Sequence, residues 1–268
     1  MPDQGTVVVP PAMRDAARDC ELGGRRGIVH TEPRRLVWAA LTPLLVVGLL
    51  ILWFGVRFAV EDQRTSGAWY FSLPILVLGM APLALAGWLV VRAWTQPRIW
   101  VGHYERGLVR WVTGKVPEVY EWDEIAGITR AETHVTNGLT SAAQRTLTVF
   151  PAGAEPIVVS DSCDGFAGFA DDVDAAFTRV RLPQDAARLE TGERVGFLLV
   201  DLDHTGIGHL DLRLDWQRVE RVEVRNGILI IRQVGVRKPW LSIPSHPVWN
   251  VRVFLALAEA LRRQHGPR

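Results

Sequence analysis

The sequence predicts an α+β protein in which two N-terminal apolar helices precede two sets of antiparallel strands, each set closed by a C-terminal helix. Three observations carry this expectation. Leu36–Val56 and Ala68–Val91 are charge-free runs of 21 and 24 residues, and about 20 apolar residues at helical rise cross a hydrocarbon core. From Ile99 onward the pattern changes to short β-rich runs separated by turn residues. The order of strands and then a helix returns a second time, which reads as an internal duplication.

Residues 1–35, with Pro10, Pro11, Gly23, Gly24 and Gly27, show no sustained period and read as a flexible tail. Residues 36–94 are expected to hold two transmembrane helices, about 36–58 and 68–92. Trp53, Trp69, Tyr70, Trp88, Trp94 and Trp100 fall near the ends of the runs, where amphipathic rings favour an interface. Pro82 is expected to kink the second helix. The first run is too long and begins too late for a cleaved signal peptide. Arginines concentrate before the first run and after the second, and only Arg57 and Arg64 lie between. By the positive-inside rule Met1 and Arg268 are cytoplasmic and Gln63 faces out. The expected location is therefore the cell membrane, multi-pass, with the lipid bilayer as an integral partner.

Residues 95–182 form the first expected domain. Ile99–Tyr104, Leu108–Thr113, Val119–Trp122, Ala126–Arg130, Thr146–Phe150 and Ile157–Ser160 read as strands. Gly165–Val180 reads as a helix, with Phe166, Phe169, Val173, Phe177 and Val180 on one side and Asp164 as N-cap. Residues 183–192 read as a linker, and residues 193–268 as the second domain. Its strands are Val195–Leu202, Ile207–Leu214, Val219–Arg225, Ile228–Val234 and Trp240–Ile243, followed by a helix from Pro247 to Arg263. Gly107-Leu108 recurs as Gly206-Ile207, and Trp122, Ile125 and Ile128 recur as Trp216, Val219 and Val222. Trp122 and Trp216 are thus expected at equivalent core positions.

With the two apolar helices, the segments Gly107–Trp111, Trp122–Ile125, Asp215–Val222 and Asn250–Leu257 resemble an uncharacterised family of bacterial membrane proteins with tandem pleckstrin-homology-like (PH-like) domains. The resemblance implies two packed antiparallel sheets closed by a helix, twice. It implies no activity and no functional residue.

Composition narrows the function further. Net charge is +1 over 268 residues, and from residue 95 onward 21 Lys and Arg face 22 Asp and Glu. That balance gives no basic surface for nucleic acid, so no nucleic-acid partner is expected. Only Lys115 and Lys238 among thirty basic residues are lysine, a bias of a GC-rich bacterial genome. Cys20 and Cys163 form no metal or redox motif, and no protease, hydrolase, dinucleotide or phosphate-loop signature occurs. Thr113-Gly114-Lys115 reads as a turn. The clusters Asp171, Asp172, Asp174 and Glu121, Asp123, Glu124 read as helix-end and motif-flanking charge, and Arg232, Arg237 and Lys238 as a solvated hairpin. Asp201, Asp203, His209, Asp211 and Arg213 gather on one hairpin face if a three-residue loop, His204–Gly206, pairs Val200 with Leu210. Solvent exposure and no metal are expected there. Catalytic, cofactor-binding and metal residues are all expected to be none, with no cofactor. The expected function is a non-enzymatic, membrane-anchored interaction module that binds a protein partner at the cytoplasmic face. The alternative is a lipid-headgroup or small-ligand sensor.

Overall fold

Gly107 and Gly206 mark equivalent points in two copies of one architecture. At each, a Cβ would lie 2.2 Å from a carbonyl of the next strand, Tyr120 O in one case and Leu214 O in the other. Each opens a strand that leads to a second strand and then a tryptophan. The computed structural model describes residues 9–31, 34–65, 73–95, 97–136 and 141–267.

The first copy opens with helix α1 (Pro11–Asp19) and strand β1 (Arg25–His30). After the helices α2 (Arg34–Thr65) and α3 (Leu73–Thr95) come β2 (Ile99–Tyr104), β3 (Gly107–Val112) and β4 (Glu118–Glu121). The four strands form one antiparallel sheet in the order β1-β2-β3-β4. A 3-10 turn, Trp122–Glu124, leads into a second sheet of β5 (Ile125–Thr136), β6 (Ser141–Pro151) and β7 (Ile157–Ser160), and helix α4 (Phe166–Glu190) follows.

The second copy repeats the seven strands, the 3-10 turn and the closing helix in the same order. Strands β8 (Val195–Gly196), β9 (Asp201–Leu202), β10 (Gly206–His209) and β11 (Leu212–Asp215) form its four-stranded sheet. The 3-10 turn Trp216–Arg218 then precedes β12 (Val219–Arg225), β13 (Ile228–Gln233) and β14 (Leu241–Pro244), and α5 (Val251–His265) closes the copy. Even the irregularities agree. Register shifts between Ile125 and Gly127 in β5 and between Val219 and Arg221 in β12.

The two tryptophans lock the same joint. Trp122 N donates to Arg106 O at 3.1 Å and Trp216 N to Thr205 O at 3.2 Å. Their indole Nε1 groups donate to Glu105 O at 3.0 Å and to Asp203 O at 2.8 Å. Both rings are buried, in separate cores formed by their own sheets and closing helix. Burying the ring while satisfying its one donor makes a large apolar contribution without an unpaired polar atom.

The segment 1–35, read as a flexible tail, instead carries α1 and β1. Pro11 suits a first helical turn, and Met13 and Ala17, four residues apart, share one buried face. With Val9, Leu22, Tyr104 and Val109 they form a third apolar cluster on the outer face of the first sheet. Strand β1 pairs with β2 from Arg25↔Tyr104 to His30↔Trp100. The expected linker 183–192 is also ordered, because α4 runs unbroken through Pro183 to Glu190. Its first part packs in the first core through Phe166 to Phe177. Its last turns enter the second core through Leu182, Ala186 and Leu189.

The chain divides into two compact units, Thr31–Arg98 and the remainder, Met1–His30 with Ile99–Arg268. Helices α2 and α3 pack against each other within the former: a Cβ on Gly48 would meet Leu83 at 2.9 Å, and one on Gly79 would meet Leu52 N at 3.0 Å. Leu49, Leu50, Val77, Leu78 and Trp94 are exposed. The expected pair of transmembrane helices, about 36–58 and 68–92, is corrected. Among the described residues no helix is long and apolar enough to cross a membrane. The two-helix membrane architecture, the multi-pass placement with cytoplasmic termini and the integral bilayer partner are corrected with it. Met1, Trp69, Tyr70 and Arg268, on which the topology and interface expectations drew, lie outside the described residues, as does the side chain of Gln63.

Candidate functional site

Successive antiparallel strands turn alternately at the two ends of a sheet, so the β8–β9 and β10–β11 connections share one end of the second copy's four-stranded sheet. The sequence placed single strands over Val195–Leu202 and Ile207–Leu214. Each instead breaks at a leucine in the left-handed backbone region, Leu198 at φ 67° and Leu210 at φ 52°. That region costs an L-residue roughly 1–2 kcal/mol. Neither leucine recovers this by burial. Leu198, Leu210 and the neighbouring Leu212 are 62%, 79% and 61% exposed.

Hydrogen bonds fix the two tips relative to each other. His209 Nδ1–H donates to Leu199 O at 2.8 Å, joining the end of β10 to the β8–β9 turn. Within that turn Phe197 N donates to Val200 O at 2.7 Å and Leu199 N to Phe197 O at 3.0 Å. Phe197 and Val200 anchor it from beneath, both buried in the second core. Three apolar side chains therefore stand beside hydrogen-bonded turns and are left uncovered. The corresponding connection of the first copy, β1–β2, carries the whole helical unit Thr31–Arg98, and its β3–β4 turn exposes Val116.

The acidic and imidazole cluster read from the sequence is only partly brought together. The observed register pairs Leu202 with Ile207 and Asp201 with Gly208, one residue away from the expected pairing of Val200 with Leu210. Asp203 forms the loop itself. Its Oδ1 accepts from Thr205 N at 2.7 Å, Thr205 Oγ1 at 2.6 Å and Gly206 N at 3.2 Å. Burial pushes the Asp203 carboxyl up, but these bonds and the Arg213 guanidinium outweigh it and hold it below the usual range. Arg213 pairs with Asp203 and, at 3.4 Å, with Asp201, and Arg194 reaches both. His209 and Asp211 stand outside this group. Contrary to the expected exposure, Asp203 is buried. Among the described residues no group of three or more His, Cys, Asp or Glu is placed to hold a metal.

The other clusters have structural partners. Glu121 and Glu124 cap the 3-10 turn reciprocally, with Glu121 N donating to Glu124 Oε2 at 3.0 Å. Arg252 Nε lies 2.8 Å from Asp174 Oδ2, and Arg130 Nη1 lies 2.8 Å from Asp171 Oδ1. Burial raises the Asp174 carboxyl, against the pull of Arg252 and Arg130. Gly114 sits at φ 85° in the turn Thr113–Lys115, and Arg237 and Lys238 are exposed. Helix α4 begins after Gly165 in a left-handed N-cap, one residue beyond the expected Asp164. Cys20 and Cys163 are free thiols.

One buried histidine was missed. His103, on β2, occupies the position of Leu202 in the second copy: it pairs with Leu108 as Leu202 pairs with Ile207. It is 4% exposed, stands edge-on to Trp122 with centroids 5.5 Å apart, and its Nδ1 has no hydrogen-bond partner among the described residues. Aligning the two copies on Gly107 and Gly206 would have exposed the substitution in the sequence. The leucine tips left no comparable signal, since apolar residues in β-rich runs read as core.

No curated protein and no solved structure matches the chain. A family model does match, over residues 12–266, which takes in α1, the helical unit and both copies. The chain belongs to DUF6585, a family of unknown function.

Proposed function

We propose that the chain is a non-enzymatic interaction module built from tandem PH-like domains, and that it binds a protein partner through the leucine tips of the second copy. The uncovered, conformationally costly Leu198 and Leu210 beside Leu212 carry this reading. An exposed apolar group on a pre-ordered base is what a docking site presents, because little ordering entropy remains to be lost on binding. The exposed apolar side chains of α2 and α3 give the chain a further interaction surface of the same chemistry. The order of a four-stranded sheet, a three-stranded sheet and a closing helix in each copy supports the PH-like assignment.

The test is affinity capture of the tagged full-length chain from a detergent extract, quantified against the variant Leu198→Ser/Leu210→Ser/Leu212→Ser. Burying one exposed leucine is worth about 1.5–3 kcal/mol, or roughly tenfold or more in affinity. A partner recovered by the native chain is expected to fall by at least about tenfold with the variant. Equal recovery would show that the tips do not bind it.

A further inference from the structure

We propose that a cup between α1 and the first sheet binds a phosphate monoester. The cup is a cavity of about 670 Å³ whose lining includes Val9, Arg14, Ala17, Arg18, Glu21, Arg25 and Tyr104. That volume lies within the range of small-molecule sites.

Its geometry follows from two elements. Arg14 and Arg18 are four residues apart on α1 and so project from the same face. Arg25 begins β1, where the register sets it opposite Tyr104 at the end of β2. Helix α1 is pinned over this sheet by Met13 and Leu22, both fully buried. The second copy lacks the arrangement, since the position of Tyr104 is taken there by Asp203, whose carboxylate is engaged by Arg213.

Charge selects the ligand. Three arginines face one lining carboxylate, Glu21, and among the described residues Arg18 and Arg25 form no ion pair. The nearby Glu105 is engaged by Arg26 at 2.6 Å, while Asp15 and Asp19 of α1 do not line the cavity. The cup therefore carries a net charge of about +2, which matches a phosphate monoester at about −1.5 to −2 near neutral pH. A monocarboxylate would leave one positive charge unmet. Guanidinium forks suit phosphate oxygens bidentately. Burial raises the Tyr104 phenol above its ordinary value, against the pull of Arg25 and Arg14, so its hydroxyl stays a donor. Val9 and Ala17 supply the apolar wall for the ester group.

Calorimetric titration of the full-length chain with phenyl phosphate, and flotation with phosphatidylcholine vesicles containing phosphatidic acid, separate a soluble from a lipid-borne monoester. Saturable binding in either arm is expected, weakened by about tenfold or more in each of Arg18→Gln and Arg25→Gln. The exposed control Arg237→Gln should bind normally, and all three variants should keep the native melting temperature. The proposal is overturned if neither probe binds, if benzoate binds as tightly as phenyl phosphate, or if binding survives both arginine substitutions unchanged.

Discussion

His103 shows how one residue can make two equivalent cores behave differently. Its imidazole replaces a leucine, its Nδ1 is buried without a partner among the described residues, and desolvation lowers its pKa below the ordinary 6.5. Asp172 on α4 opposes that shift, while Arg26 and Arg179 add to it. Above pH 6.5 the ring is neutral in both folded and unfolded chains. As pH falls below 6.5 the unfolded chain binds the proton first, so stability declines until the lower folded value is passed. His103→Leu is expected to raise stability at neutral pH by about 1 kcal/mol by removing the unpaired nitrogen. It should also flatten the loss on acidification, as read from urea midpoints across that pH range. A second residue test concerns Leu198. Glycine adopts its φ without strain, so Leu198→Gly should stabilise the fold by about 1 kcal/mol while weakening capture of the partner. Loss of stability in this variant would mean that the leucine packs rather than waits for a partner.

At the scale of elements, most strands were legible because their apolar alternation is strong. Strands β2, β7 and β12 run as read, and the closing helices fall where their apolar stripes indicate. What was not legible has physical causes. Strand β1 is six residues with two arginines and a glycine, separated from its partner β2 by the whole helical unit. Helix α4 crosses Pro183, normally a stop signal, because its last turns bury Leu189 in the second core. The two runs split by Leu198 and Leu210 look continuous because nothing in a leucine announces a positive φ. The joint between the copies depends on the N-terminus of α5. Asn250, at φ 52°, accepts from Ile128 N at 2.8 Å through Oδ1, and its own N donates to Ile128 O at 2.9 Å. Trp249 stacks on Phe150 with centroids 5.3 Å apart, in space that only Gly127 leaves open, since a Cβ there would lie 2.7 Å from the indole. Asn250→Ala strands a buried N–H and should cost about 1–3 kcal/mol in urea unfolding.

Outside the helical unit Thr31–Arg98 the molecule is a duplication whose copies are joined by more than a tether. Helix α4 contributes to both cores, α5 is hydrogen-bonded to β5, and Arg252 of the second copy holds Asp174 of the first. The duplication was readable from the Gly and Trp spacings, whereas the joint was not, because Asn250 and Ile128 are 122 residues apart and nothing in the segments that hold them says that the two meet. The leucine tips depend on the same joint, since a docking surface is pre-ordered only if the body beneath it is rigid. Joined in this way, both copies open as one cooperative unit. Native-state hydrogen exchange of the full-length chain tests it directly, with amides of Val149 in β6 and Ile231 in β13 as reporters. Replacing the buried Trp216 by Ala should cost about 3–5 kcal/mol, and the same loss of protection is expected at both amides. A loss confined to Ile231, with Val149 unchanged, would contradict it.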